Sequence, residues 1–329
     1  MKIAILGAGA WGTALAINLS SRHQVTLWTK DPSHLDELIA QRVNKQFLPG
    51  FVLPESLHLT STLKTALNDA DFALIVVPVA GLRETIRGII ATKLTVPIVW
   101  GCKGFEAKLS MLPHQIVQKE FGNVAPSGVL SGPSFAQEVA QGLPTALTLA
   151  SRDEGFAQNI ALLLHSARLR VYSSKDVIGV EVGGAIKNVI SIAAGISDGM
   201  GFGLNARAAL MTRGLMEITR LGIKLGGSLE TFMGLSGVGD MILTCTGDLS
   251  RNRRVGLMLA KNLSLPEILR QLGHVAEGVY AAEAAKKISN ELDIEMPITQ
   301  SVYSILYQGM PAREAVELLL NRDPKIEHL

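Results

Sequence analysis

The chain has 329 residues, 47% hydrophobic and 18% charged, with a formal net charge of +2. That length exceeds one ordinary core and fits two domains, and a near-neutral balance without a basic arm argues against nucleic-acid binding as the main activity. Cys102 and Cys245 form neither a disulfide framework nor a zinc-binding pattern, so a reducing, cytoplasmic setting without structural metal is expected.

Lys2-Ile3-Ala4-Ile5-Leu6 reads as a buried strand. It ends in Gly7-Ala8-Gly9-Ala10-Trp11-Gly12, and an apolar, Ala-rich stretch from Thr13 to Leu19 reads as the following helix. Strand, glycine turn and helix in this order build a pyrophosphate cradle. Gly7 allows the turn, Gly9 lets the backbone approach the ligand, and Gly12 permits close packing of helix on strand, so that helix N–H groups face the phosphates. The same stretch superficially resembles a secretion signal with Ala8-Gly9-Ala10 as its cleavage site, but cleavage would discard the whole pattern. No run of about twenty uninterrupted apolar residues predicts a membrane span.

Gln24-Val25-Thr26-Leu27-Trp28 is the second strand, at the spacing of one crossover. A carboxylate at its end would bind the free ribose hydroxyls of NAD(H), whereas this chain has Thr29, Lys30 and Asp31. Lys30 favours a ribose 2′-phosphate and hence NADP(H). The competing reading is a solvated lysine, with Asp31 reaching the hydroxyls of NAD(H).

Short β-rich runs then alternate with helical segments: Leu57 to Thr60, Phe72 to Val77, Pro97 to Gly101, Ser127 to Ser131, Thr145 to Ala150 and Leu169 to Tyr172. The rhythm predicts an α/β fold with a Rossmann-like, doubly wound, mainly parallel sheet over residues 1–176. Two strand ends in this half, where open sheets place ligands, carry polar groups: Lys103, and Gly132-Pro133-Ser134. After Lys175 the spacing turns helical, with Gly-rich turns expected at Gly195 to Gly203 and Gly234 to Gly239. This predicts an all-helical second domain over residues 177–329 and a site in the cleft between the two.

Within the helical half, Lys187 stands amid small and aliphatic neighbours, so it must snorkel, pair, or act as a proton donor with a lowered pKa. The adjacent Asn188 points to a polar pocket. Gly237-Val238-Gly239-Asp240, Thr244 and Ser250-Arg251-Asn252-Arg253-Arg254 form a second cluster. Its three arginines read either as a phosphate or carboxylate clamp or as a solvated basic face. No histidine stands in a hydrolytic triad.

Taken together, GAGAWGTALA, Val76-Val77-Pro78, Lys103-Gly104, SGPSFAQEVA, GGAIKNV, SDGMGFGLNARAAL, GDMILTC and SRNRR resemble, in order, the bacterial NAD(P)-dependent sn-glycerol-3-phosphate dehydrogenases. The resemblance implies an oxidoreductase interconverting dihydroxyacetone phosphate and sn-glycerol 3-phosphate, supplying the latter for phospholipid synthesis. It implies that Lys187 is the general acid, that Lys103 helps bind substrate and cofactor, and that Asp240 completes the catalytic set. Gly132, Ser134, Ser250, Arg251 and Asn252 would line the substrate, and the polar clusters read above add Asn188 and Thr244 to them. Gly7, Gly9, Ala10, Trp11, Gly12, Lys30, Lys103, Ala136, Arg251, Val275 and Glu277 would meet the cofactor, with NADP(H) preferred and NAD(H) accepted. The Gly- and Ala-rich helical half predicts a homodimer. Two alternatives share the two-domain plan: a ketopantoate or hydroxyisobutyrate reductase, and a non-catalytic NADP(H) sensor.

Overall fold

The computed structural model describes residues 1–273 and 276–323. The first half runs β1 (Lys2–Leu6), α1 (Ala10–Leu19), β2 (Gln24–Trp28), α2 (Pro32–Gln41), β3 (His58–Thr60), α3 (Leu63–Leu67), β4 (Phe72–Ile75), α4 (Val79–Ala91), β5 (Ile98–Trp100), α5 (Pro113–Glu120), β6 (Ser127–Ser131), α6 (Ala136–Ala140), β7 (Thr145–Ala150), α7 (Glu154–Leu164) and β8 (Leu169–Ser174). The strands form one sheet in the order β3-β2-β1-β4-β5-β6-β7-β8. Every pairing is parallel except β6 with β7.

The central strands are continuous apolar runs because helices cover both faces. Along β1 and β4, Ile3, Ile5, Phe72 and Leu74 enter the core on one face, while Ala4, Leu6, Ala73 and Ile75 enter the core on the other. The chain reverses direction of winding between β1 and β4, so a crevice opens above their carboxyl ends, where such sheets bind ligands.

The second half is helical: α8 (Val177–Gly199), α9 (Gly203–Lys224), α10 (Leu229–Phe232), a π-helical turn (Leu235–Gly239), α11 (Asp240–Thr246), α12 (Arg251–Leu259), α13 (Leu265–Leu272), α14 (Glu277–Glu291), α15 (Pro297–Tyr307) and α16 (Ala312–Leu320). Asp176 caps α8, its Oδ1 accepting from the Gly179 N–H at 2.7 Å. α8 is long and apolar enough to cross a membrane, but 94% of that stretch is buried inside the fold, as the central helix of a packed core would be.

The expectation of a turn from Gly195 to Gly203 needs correction. α8 continues through Gly195 to Gly199, and only residues 200–202 turn. A Cβ on Gly195 would overlap the Arg253 carbonyl oxygen, and one on Gly256 would overlap that of Ile192. These glycines bring α8 and α12 into backbone contact, which offsets their poor helix propensity. The second expected turn, Gly234 to Gly239, is the π-helical turn that aims α11.

Candidate active site

The cradle is built from steric facts. Gly7 takes φ +124, where a side chain is strained, and its N–H donates to the Trp28 carbonyl at 3.0 Å. A Cβ on Gly12 would overlap the Gly7 carbonyl oxygen, whereas one on Gly9, the N-cap of α1, would meet nothing. The first turn of α1, with Ala10 and Trp11, therefore presents its N–H groups beside open space above Gly9, an arrangement that fits a pyrophosphate. Trp11 lies against Gly101 at the end of β5, where a Cβ would come within 3.3 Å of its Nε1. α6, which begins at Ala136, packs on α1, and Ala136 and Trp11 share one small apolar cluster.

A buried network missing from the sequence expectations braces the cradle. Asn44 Nδ2 donates to the Ala8 carbonyl and to Thr13 Oγ1, both at 2.8 Å. Its Oδ1 meets His34 Nε2 at 3.2 Å, and His34 Nδ1 meets Thr29 Oγ1 at 3.2 Å. Asp31 is the N-cap of α2: Oδ1 accepts from Ser33 N at 2.9 Å and from Ser33 Oγ at 2.5 Å. Those hydrogen bonds hold its carboxyl below the usual carboxylate range. Lys30 Nζ pairs with Glu84 Oε1 at 2.6 Å, both side chains 70% exposed.

The polar centre lies where the end of β5 faces α8. Asp240, at the start of α11 and 2% exposed in its side chain, bridges two lysines: Oδ2 accepts from Lys103 Nζ at 2.7 Å and Oδ1 accepts from Lys187 Nζ. Lys187 Nζ also donates to Thr244 Oγ1 at 2.9 Å, and Lys103 Nζ donates to the Gly132 carbonyl at 3.0 Å. The same carbonyl accepts from Ser134 Oγ at 2.9 Å. Burial lowers the Lys187 pKa to about 8; Asp240 opposes the fall, and the neighbouring Lys103 charge adds to it. Burial alone would lift the Asp240 carboxyl, but the two lysines outweigh it and hold the carboxyl down. Glu277, at the start of α14, is pushed up by burial against the pull of Arg251, Lys103 and Lys187. An amine poised near neutrality, oriented by a buried carboxylate, can give or take a proton.

Two further threads extend the centre. Ser191 Oγ donates to the Thr244 carbonyl at 3.0 Å and meets Ser250 Oγ at 3.1 Å. Asn252 Nδ2 donates to Asn188 Oδ1 at 3.0 Å, and Asn252 Oδ1 accepts from the Gly278 N–H at 3.0 Å. Ser250 caps α12 by accepting from the Arg253 N–H, which sets exposed Arg251 in the first turn. Of the sequence-derived site residues, Val275 lies outside the described residues.

The three-arginine clamp needs correction. Arg253 is held by Asp198, Nη2 to Oδ2 at 2.8 Å, and by Asp248 at 2.9 Å, so it braces α12 against α8. Sequence reasoning also missed Ser191. Gly184, Lys187, Asn188 and Ser191 fall at i, i+3, i+4 and i+7 on α8, a small and polar stripe on an otherwise apolar helix. That spacing was the available signal. Among the described residues, no group of three or more His, Cys, Asp or Glu is placed to hold a metal ion.

Comparison with known proteins agrees over the whole chain. Residues 2–157 match the family described as NAD-dependent glycerol-3-phosphate dehydrogenase N-terminus, and residues 176–317 match its C-terminus. Glycerol-3-phosphate dehydrogenase (NAD(P)+) of Nitrosospira multiformis is 64% identical over 331 residues, covering 99% of each chain. That of Nitrosomonas eutropha is 62% identical over 327 residues, again covering 99% of each. A crystal structure of glycerol-3-phosphate dehydrogenase from Coxiella burnetii is 44% identical, superposes with a TM-score of 0.93, and covers 98% of this chain and 99% of its own.

Proposed function

The chain belongs to the NAD-dependent glycerol-3-phosphate dehydrogenase family, and from that premise we propose how its residues divide the work. It is an oxidoreductase that interconverts dihydroxyacetone phosphate and sn-glycerol 3-phosphate with a nicotinamide dinucleotide. The observation that carries the assignment of roles is the buried Asp240 carboxylate shared by Lys187 and Lys103.

In reduction, Lys187 Nζ gives its proton to the substrate carbonyl oxygen as the C–O bond becomes an alcohol. Bound nicotinamide supplies the hydride. Asp240 and Thr244 aim Nζ, and Lys103 adds positive charge where oxyanion character develops, in a site where water is scarce. Oxidation uses the same amine unprotonated, so it is favoured at higher pH. Arg251 and the first-turn N–H groups of α12 grip the substrate phosphate. Asn252 contributes the amide hydrogen that Asn188 does not take, and Gly132 and Ser134 close the opposite wall.

Gly7, Gly9 and Gly12, with Ala10, Trp11, Ala136 and Glu277, would hold the dinucleotide. Lys30 is its 2′-phosphate ligand, giving NADP(H) preference with NAD(H) accepted; commitment of Asp31 to the α2 cap supports that reading. Residues 1–176 form the dinucleotide-binding domain and 177–329 the substrate domain. The enzyme acts in the cytoplasm as a homodimer and supplies glycerol 3-phosphate for phospholipids. Exposed Phe202 and Leu204 at the start of α9 support self-association.

The deciding experiment mixes purified protein with dihydroxyacetone phosphate and either NADPH or NADH and follows reduced-cofactor absorbance. Substrate-dependent oxidation that is lost in a folded Lys187→Met variant is expected. A variant with near-wild-type turnover would remove Lys187 from the mechanism.

A further inference from the structure

We propose that Glu84 tunes recognition of the ribose 2′-phosphate by holding Lys30 in an ion pair that the phosphate must displace. This rests on the reading above that the cradle holds the dinucleotide and that Lys30 meets its 2′-phosphate. Lys30 follows β2, and Glu84 lies on α4, the helix after β4. β2 and β4 flank β1 on opposite sides, so the 2.6 Å pair joins the two walls of the crevice across the end of β1.

The other polar groups at the end of β2 are committed elsewhere. Thr29 is bonded to His34 and Asp31 caps α2, which leaves Lys30 as the group able to meet a phosphate there. Its positive charge is matched by Glu84, and the pair is solvent-exposed, so it is weak and opens readily. A nucleotide without the 2′-phosphate makes no demand on Lys30. One that carries it must compete with a carboxylate and then remain near it. Glu84 therefore narrows the difference in affinity between the two nucleotides, and a chain with a lysine at this place accepts both.

The test uses adenosine 2′,5′-bisphosphate and 5′-AMP, which carry the adenosine end alone, with calorimetric titration of the full chain. Proteins compared are wild type, Glu84→Gln, Lys30→Gln and the double variant. Opening an exposed ion pair to admit the phosphate corresponds to at most about fivefold in affinity. Glu84→Gln is expected to tighten the bisphosphate by about that factor and to leave 5′-AMP within about twofold, with a gain that shrinks as salt rises. The gain should be smaller on the Lys30→Gln background, because displacement of the pair runs through Lys30. Equal gains on both backgrounds, an equal change for both probes, or no change would overturn the proposal. If Lys30→Gln does not weaken the bisphosphate relative to 5′-AMP, the parent reading of Lys30 falls. If it does and Glu84→Gln changes nothing, only the role of Glu84 falls.

Discussion

Lys187 should impose a break in the pH dependence of turnover far below that of an ordinary lysine. Burial on α8 and the charge of Lys103 bring its pKa from 10.5 to about 8, which costs the ammonium form about 3 kcal/mol. At pH 9 about a tenth of the enzyme then carries the proton needed for reduction, against nearly all of it for an unperturbed amine. The kcat/KM for dihydroxyacetone phosphate reduction, which reports groups of the free enzyme, should be level below about pH 8 and fall about tenfold per pH unit above it. Oxidation of glycerol 3-phosphate should mirror this, rising to a plateau above the same pH. Lys103→Gln removes the like charge, so its surviving activity should show the break at higher pH. Lys187→Met should lose about 100- to 10,000-fold in turnover, the range for a positioned general acid. The assay is reduced-nicotinamide absorbance over a range of substrate concentrations from about pH 6 to about pH 10, giving kcat/KM and kcat at each pH, with circular dichroism to confirm folding. A reduction rate that stays level to pH 10, or a folded Lys187→Met within tenfold of wild type, would refute this reasoning.

Three other outcomes follow from the geometry. Gly9→Ala, whose Cβ meets nothing, should leave thermal stability within about 0.5 kcal/mol but weaken dinucleotide binding, whereas Gly12→Ala should damage both because its Cβ overlaps the Gly7 carbonyl; calorimetry and nucleotide titration separate the two. Buried Glu217 accepts from the N–H groups of Ile298 and Thr299 at the start of α15, and burial raises its carboxyl from 4.5 to about 7. The folded state therefore takes up a proton between these values, and its cost of about 3 kcal/mol is full above pH 7 and absent below 4.5. Denaturant unfolding should thus show wild type gaining about 3 kcal/mol on Glu217→Gln between pH 8 and pH 4.5; a constant difference would contradict this. Arg251→Ala should raise the KM for dihydroxyacetone phosphate by about 30- to 100-fold, the value of a charge-assisted bond to phosphate, and an unchanged KM in steady-state kinetics would place the phosphate elsewhere.

The cradle was legible because its constraints are local. Gly7, Gly9 and Gly12 do their work within one turn, and the apolar runs on either side specify strand and helix by period alone. The oddity of Lys187 was also visible, since an amine amid small and aliphatic residues must snorkel, pair or work as a proton donor. Its partner was not nameable: Asp240 lies 53 residues beyond Lys187 and 137 beyond Lys103, and no periodicity links positions so far apart. The same limit explains the two corrections. Gly195 and Gly199 read as a turn because helix propensity disfavours glycine, yet their missing side chains are what let α12 come close to α8 there. Arg253 is identical in kind to Arg251, and only the position of Asp198 on α8 makes one a brace and leaves the other exposed at the helix start. The sequence alone thus determined the fold class, the cradle and the cast of polar residues, because those depend on local sterics and hydrophobic period. Tertiary packing decided which charges share Asp240, which arginine is already paired and where Lys30 finds its counter-ion, because electrostatic pairing depends on distance in space rather than along the chain.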